Sequence, residues 1–191
     1  MGFNVYMCGV GGQGIGMLSE VLLRAADHAG FRTKAVDTHG LAQRGGIVIS
    51  HLRIGEDVFS PLIAEGRADL VIGLEMHEAY RALERMSKPG STLVYYQVCW
   101  QPLPVRLGAD RSLTDEDIHR SAQAKHVRVL GVQQPDLADR RMQNMVVLGR
   151  IDHYGLIPGV SKAHYLAAME DLMTEGMLAE NRAVFERNSA A

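Results

Sequence analysis

The sequence predicts an α/β domain of Rossmann-like, three-layer architecture, and three observations carry that prediction. Short apolar runs rich in strand formers alternate with segments of helical period. The first strand-to-helix junction is the glycine loop Gly9-Val10-Gly11-Gly12-Gln13-Gly14. Around residues 47–60 two strand-like runs follow one another without a helix between them, so the mostly parallel sheet should carry an antiparallel hairpin excursion. The final third reads as packed C-terminal helices.

Taken in order, Phe3 to Met7 is a strand that ends at the glycines. Ile15 to Ala29 is a helix, with Ile15, Leu18, Leu22, Ala25 and Ala26 at helical spacing and Gly30 just past its end. Arg32 to Val36 is a second strand with Asp37 at its carboxyl end. A helical crossover between them requires the first two strands to run parallel. Ile47 to Ile54 is a strand, Gly55-Glu56-Asp57 a turn, and Val58-Phe59-Ser60 the return strand of a hairpin. Alternation resumes with a strand over 68–74, a helix over 77–86 and a strand over 91–98, the last two separated by the Pro89-Gly90 turn. Residues 101–111 form a proline-punctuated loop. Thr114, followed by Asp115, Glu116 and Asp117, is an N-cap with acidic first-turn residues for a helix that runs to about Lys125. A strand over 127–132 precedes helices over 137–154, 161–175 and 178–185. No repeat, low-complexity tract or linker divides the chain, so residues 1–191 are expected to form one domain.

Composition narrows the function. A chain of 191 residues buries roughly 70% of its unfolded surface and needs no covalent staple. The formal charge of −2, with scattered lysines and arginines, leaves no electrostatic footprint for nucleic acid or an anionic membrane. The only cysteines, Cys8 and Cys99, are far apart, so the chain's own thiols build neither an iron–sulfur cluster nor a zinc site. The N-terminus lacks the pattern of a signal peptide, no apolar run approaches the ~20 residues of a membrane span, and the cytoplasm is the expected location. Histidines occur without H-x-x-x-H or H-E-x-x-H spacing, and no metal site is expected. Ser50 and His51 are adjacent on a strand and point to opposite faces, so they form no catalytic pair. No residue qualifies as a general acid, base or nucleophile. Met142, Met145, Met169, Met173 and Met177 along the C-terminal helices read as core packing or a subunit interface, the latter allowing a homodimer in isolation.

The glycine loop carries the clearest chemistry. Glycines let a ligand approach the backbone without Cβ atoms in the way, and the unpaired amides of the helix start favour a phosphate. The candidate binding residues are therefore Gly9, Gly11, Gly12, Gln13 and Gly14; the alternative is a tight turn with no ligand. Asp37 lies about 20 residues beyond the loop, where a dinucleotide enzyme binds ribose hydroxyls. It reads equally as a strand-end carboxylate, and the strand pair that follows departs from a dinucleotide fold.

A second loop, His39-Gly40-Leu41-Ala42-Gln43-Arg44-Gly45-Gly46, adds Gln43, Arg44, Gly45 and Gly46 to the candidates. Arg44 offers a planar fork for a phosphate or for a partner's carboxylate, or makes no specific contact. Together with Gly11-Gly12-Gln13-Gly14, Ser50-His51-Leu52-Arg53 and Ser60-Pro61-Leu62-Ile63, this loop resembles the gamma subunit or domain of the 2-oxoacid:ferredoxin oxidoreductases. The octapeptide is most similar to that of the small (beta) subunits of the indolepyruvate enzymes. Ala68-Asp69, Lys88-Pro89-Gly90, Asn144 to Gly149 and Asn181 extend the resemblance over nearly the whole chain.

The resemblance implies a subunit of an enzyme that oxidatively decarboxylates a 2-oxoacid with coenzyme A, giving acyl-CoA, carbon dioxide and reduced ferredoxin. It implies thiamine diphosphate and iron–sulfur clusters on partner subunits, and coenzyme A at the glycine loop of this one. One departure is visible: residues 15–23 hold no basic residue, where related single-chain enzymes have a lysine. Two other readings stand beside it, a stand-alone NAD(P)-binding dehydrogenase and an assembly subunit with an empty glycine loop.

Overall fold

Strand β3 (Ile47–Ile54) lies between β1 (Phe3–Val10) and β2 (Thr33–His39), antiparallel to both. That insertion sets the topology. In the computed structural model, which describes residues 2–39, 46–100 and 112–190, one six-stranded sheet has the order β2-β3-β1-β4-β5-β6. The remaining elements are α1 (Ile15–His28), β4 (Ala68–Gly73), α2 (Met76–Met86), β5 (Ser87–Tyr96), α3 (Asp115–Ala124), β6 (Arg128–Val132), α4 (Gln143–His153), α5 (Lys162–Leu172) and α6 (Glu175–Ala190). β1, β4, β5 and β6 run parallel.

The antiparallel excursion is therefore present, but the expected hairpin is not. β3 pairs from Phe3↔Ile54 to Val10↔Ile47 on one side and from Thr33↔Ile54 to His39↔Val48 on the other. With both of its edges taken, no ladder position remains for Val58-Phe59-Ser60. Gly55 turns with φ 137° and donates to the Arg32 carbonyl (2.8 Å). Val58 is buried, and Phe59 stands 87% exposed. β1 and β2 keep the same direction, as the helical crossover demands, yet they are not neighbours.

Alternation along the strands builds the three layers. Val5, Met7, Leu70, Ile72 and Val94 face Leu18 and Leu22 of α1, Met145 and Leu148 of α4, Tyr165 and Met169 of α5, and Phe185 of α6. Tyr6, Cys8, Val71, Leu93 and Tyr95 face Ala79 and Leu83 of α2 and Ile118 and Ala122 of α3. Thr114 caps α3 as expected. Its hydroxyl accepts from the Asp117 amide, and the Asp117 carboxylate accepts from the Thr114 amide, closing a capping box.

The C-terminal helices differ from expectation at their ends. Asp139 accepts from the Arg141 amide and starts a 3-10 turn over Arg140–Met142, so α4 begins only at Gln143. The last helix, Glu175–Ala190, is longer than its apolar residues suggested, and it docks through backbone proximity. A Cβ at Gly149 would lie 2.6 Å from Asn188 Cβ and 2.7 Å from the Phe185 carbonyl. Among the described residues no helix is long and apolar enough to cross a membrane.

Candidate functional site

The glycine loop joins the end of β1 to α1 at the carboxyl edge of the parallel strands, the edge where open α/β sheets bind ligands. Its residues divide into a scaffold and an open rim. Gln13 belongs to the scaffold: its Oε1 accepts from the Val10 amide (2.7 Å) and its Nε2 donates to the Leu74 carbonyl (2.8 Å). The side chain is 2% exposed and ties the loop to the end of β4. Gly9 makes room for it, since a Cβ there would lie 2.8 Å from Gln13 Oε1. The Gly11 amide donates to the Gly46 carbonyl (2.9 Å), which brings the end of the second loop against the first.

Gly12 forms the rim. It has φ 99°, nothing lies within 4 Å of where its Cβ would be, and its amide has no partner among the described residues. Gly14 follows in the left-handed region (φ 81°) as the N-cap of α1, without a side-chain cap bond. No acidic side chain occupies the first turn of α1 either. The first-turn amides therefore keep their anion-attracting character. Across the loop, Asn144 Nδ2 donates to the Gly14 carbonyl (3.2 Å) and fastens α4 to the start of α1.

These groups open on a cavity of about 890 Å³. Gly11, Gly12, Gly14 and Gly16 form one wall, and Met17, Met142, Met173 and Met177 give it an apolar side. Asn144, Asn181, Glu180 and the Asp139–Arg141 pair supply polar groups. Arg141 is held against Asp139 through Nε and Nη2 at 2.7–3.1 Å, and that pairing keeps the Asp139 carboxyl below its ordinary range. A second cavity of about 460 Å³ opens beyond the ends of β5 and β6 and shares Gly12 and Arg141 with the first.

Of the sequence-derived candidates, Gly9, Gly11, Gly12, Gln13, Gly14 and Gly46 come together here, Gly9 and Gln13 from behind the loop. Gln43, Arg44 and Gly45 lie outside the described residues. Asp37 takes another role: its carboxylate accepts from Ser19 Oγ (3.3 Å), which in turn bonds Ser50 Oγ (2.6 Å), tying β2 and β3 to α1. The methionines also divide. Met145 and Met169 are core, Met142 and Met177 face the cavity, and Met173 is a buried core residue that also lines it. What the sequence left unseen is the wall built by the Asp139–Arg141 pair, since a carboxylate two residues from an arginine carries no distinctive pattern.

A second polar group stands along the same edge. Glu75, N-cap of α2, lies 3.0 Å from His77 Nδ1, and Cys99 Sγ lies 3.8 Å from that nitrogen. These are metal-donor types. The two carboxylate oxygens, however, already accept from the amides of His77, Glu78 and Trp100. Burial, reinforced by Glu75, pushes the Cys99 thiol up. Burial, with Glu78 and Glu75 nearby, raises Cys8 further.

Residues 4–191 match the family model described as pyruvate ferredoxin/flavodoxin oxidoreductase. Indolepyruvate oxidoreductase subunit IorB of Archaeoglobus fulgidus is 35% identical over 162 residues, covering 83% of this chain and 80% of that protein. The subunit of the same name from Methanothermobacter thermautotrophicus is 44% identical over 94 residues, 49% of this chain and 47% of that one. The fold also matches pyruvate oxidoreductase subunit PORC of Thermotoga maritima, with TM-score 0.72, 18% identity, and 99% of this chain and 96% of that one covered. A third match is the 2-oxoglutarate:ferredoxin oxidoreductase of Magnetococcus marinus, solved with 2-oxoglutarate, coenzyme A and succinyl-CoA bound (TM-score 0.70, 19% identity). It covers 99% of this chain, which spans only 30% of that longer one.

Proposed function

Because the chain belongs to the pyruvate ferredoxin/flavodoxin oxidoreductase family, we propose that it is the coenzyme A-supporting subunit of a 2-oxoacid:ferredoxin oxidoreductase. The enzyme oxidatively decarboxylates a 2-oxoacid to acyl-CoA and carbon dioxide while reducing ferredoxin. The relatives that are 35–44% identical are subunits of indolepyruvate oxidoreductases, which makes an aryl pyruvate the substrate class to test first. Thiamine diphosphate and the iron–sulfur clusters belong to partner subunits, consistent with a chain whose two cysteines are both free thiols. Free thiols also suit a reducing cytoplasm.

One observation carries the assignment of coenzyme A to this subunit. The unpartnered Gly12 amide and the uncapped start of α1 face a cavity of ligand size, within the usual range of about 300–1,000 Å³. Those amides suit a pyrophosphate, and the methionine side suits the pantetheine arm. Neither a stand-alone dehydrogenase nor an empty loop is favoured: Asp37 is engaged with Ser19, and β3 separates its strand from β1.

The test has two parts. Anaerobic affinity purification from the native host should bring down a thiamine-binding, cysteine-rich partner in stoichiometric amount. In the purified complex, Gly12→Asp should raise the KM for coenzyme A by an order of magnitude or more, because it places a carboxylate where a phosphate is expected and strains a positive φ. An unchanged KM would leave this subunit with a role in assembly alone.

A further inference from the structure

We propose that Glu75, His77 and Cys99 form a binding site for a single divalent ion of the zinc class, beyond the carboxyl ends of β4 and β5. The site is independent of the coenzyme A reading, since none of its three donors lines either of the two cavities described above.

The fold assembles the donors by tying down both neighbours of Cys99. The Met76 amide donates to the Val98 carbonyl (3.0 Å), and the Trp100 amide donates to Glu75 Oε1 (2.9 Å). Cys99 is held between these two bonds to the start of α2, with its Sγ 3.8 Å from His77 Nδ1. That nitrogen lies 3.0 Å from Glu75 Oε1, and the three donor atoms all lie within 4.8 Å of one another. Donors set about 2.0–2.3 Å from one tetrahedral ion stand roughly 3.3–3.6 Å apart. The first two separations are close to that range, and rotation of the exposed Cys99 side chain closes the third. A glutamate and a histidine two residues apart, with a cysteine 22 positions further on, match no familiar metal motif in sequence.

Charge argues independently for a cation. Glu75 is 1% exposed, and its only ion-pair partner among the described residues is the His77 ring, charged only when protonated. A buried carboxylate without a lysine or arginine is costly, and a bound cation compensates it. The carboxylate has room for one. Oε2 accepts from the amides of His77 and Glu78, whereas Oε1 accepts a single amide, that of Trp100, and keeps a second lone pair on the side of Nδ1. A thiolate, an imidazole and a carboxylate together favour zinc over magnesium or calcium, which prefer oxygen donors alone. Among the described residues no fourth donor joins them, which leaves one position for water. Binding displaces the thiol proton to solvent. The ion clamps the start of α2 to the segment after β5, where Trp100 lines the second cavity.

Cobalt(II) is the probe, because its absorption reports both geometry and thiolate ligation. The untagged full chain, stripped with chelator under reducing conditions, should bind a single equivalent. It should show the intense visible bands of a tetrahedral ion and a near-ultraviolet thiolate-to-cobalt band. Zinc should displace the cobalt, raise the thermal midpoint by several degrees and change the emission of Trp100, the only tryptophan in the chain. Cys99→Ser should lose the thiolate band and Cys8→Ser should keep it; these are the only two cysteines, so the pair identifies the ligand. His77→Gln should lose stoichiometric binding. Glu75 also caps α2, so the other two donors carry the test, and circular dichroism checks that their variants fold. No cobalt uptake by the wild type would overturn the proposal. So would a thiolate band that survives Cys99→Ser, or weak octahedral binding equal in all variants, which would mean an adventitious ion only.

Discussion

Asn144 donates its side-chain amide to the Gly14 carbonyl at 3.2 Å, joining two residues 130 positions apart in sequence. The contact is tight as well as polar, since a Cβ on Gly14 would come within 2.5 Å of Asn144 Nδ2. Gly14→Ala should therefore destabilise the chain through two separable terms. The left-handed backbone costs about 1–2 kcal/mol, and displacement of Asn144 forfeits a hydrogen bond of about 1 kcal/mol. Asn144→Ala alone should cost about 1 kcal/mol. In a double-mutant cycle by urea denaturation, Gly14→Ala should cost less in the Asn144→Ala background than in the wild type. Strict additivity would show that the two residues do not meet as described.

Gly149 marks a second close approach. Its missing Cβ admits the backbone of α6 at Asn188 and Phe185, closer than any side chain would allow. Gly149→Val should cost about 3 kcal/mol or more, because the obstacle is backbone and cannot rotate away. The midpoint of thermal unfolding should fall by several degrees, with α6 the first element to lose hydrogen-exchange protection. A variant as stable as the wild type would mean that α6 docks differently.

These contacts also show what the sequence could and could not disclose. The glycine loop was legible because its glycines, the apolar run before it and the helical period after it are all local. Thr114 and its acidic followers were legible for the same reason. The place of β3 was not. Gly55-Glu56-Asp57 followed by three strand formers is locally a hairpin pattern, and nothing local says that β1 and β2 will take both edges of β3. The role of Gln13 was hidden as well, since its partner Leu74 lies 61 residues away, and the same side chain within a glycine motif suggested ligand contact. Met142 and Met177 look like Met145 and Met169 in sequence, and only the crossing of α4, α5 and α6 separates cavity wall from core.

His51 gives a pH dependence whose sign is fixed by its partner. Its Nδ1 accepts from the Ile63 amide (3.1 Å), so the ring must stay unprotonated there. Burial also holds the imidazole below its ordinary value of 6.5. A group with a depressed folded value binds its proton more readily in the unfolded state, so stability is full above about pH 6.5 and declines as the pH falls below it. The thermal midpoint should drop between pH 7 and pH 5, and His51→Gln, which still accepts from Ile63, should flatten that drop. Equal pH slopes for the two proteins would assign the effect to other groups.

Glu75 is the residue whose loss should damage the most at once. Its carboxylate is 1% exposed yet receives four donors: the amides of His77, Glu78 and Trp100, and the His77 ring. Two of those amides belong to the first turn of α2, so the side chain is the helix cap. The Trp100 amide fastens the segment after β5, so the same group positions the tryptophan of the second cavity. Glu75→Gln keeps one acceptor oxygen but places an amide nitrogen among donors, and should cost about 2 kcal/mol. Glu75→Ala removes the acceptor altogether, leaves buried amides unpaired and should cost about 3–4 kcal/mol, as for other buried charged partners. Because the damage reaches Trp100, the tryptophan emission of the folded Glu75→Gln variant should shift to longer wavelength. Unshifted emission with the stability loss intact would confine Glu75 to capping α2.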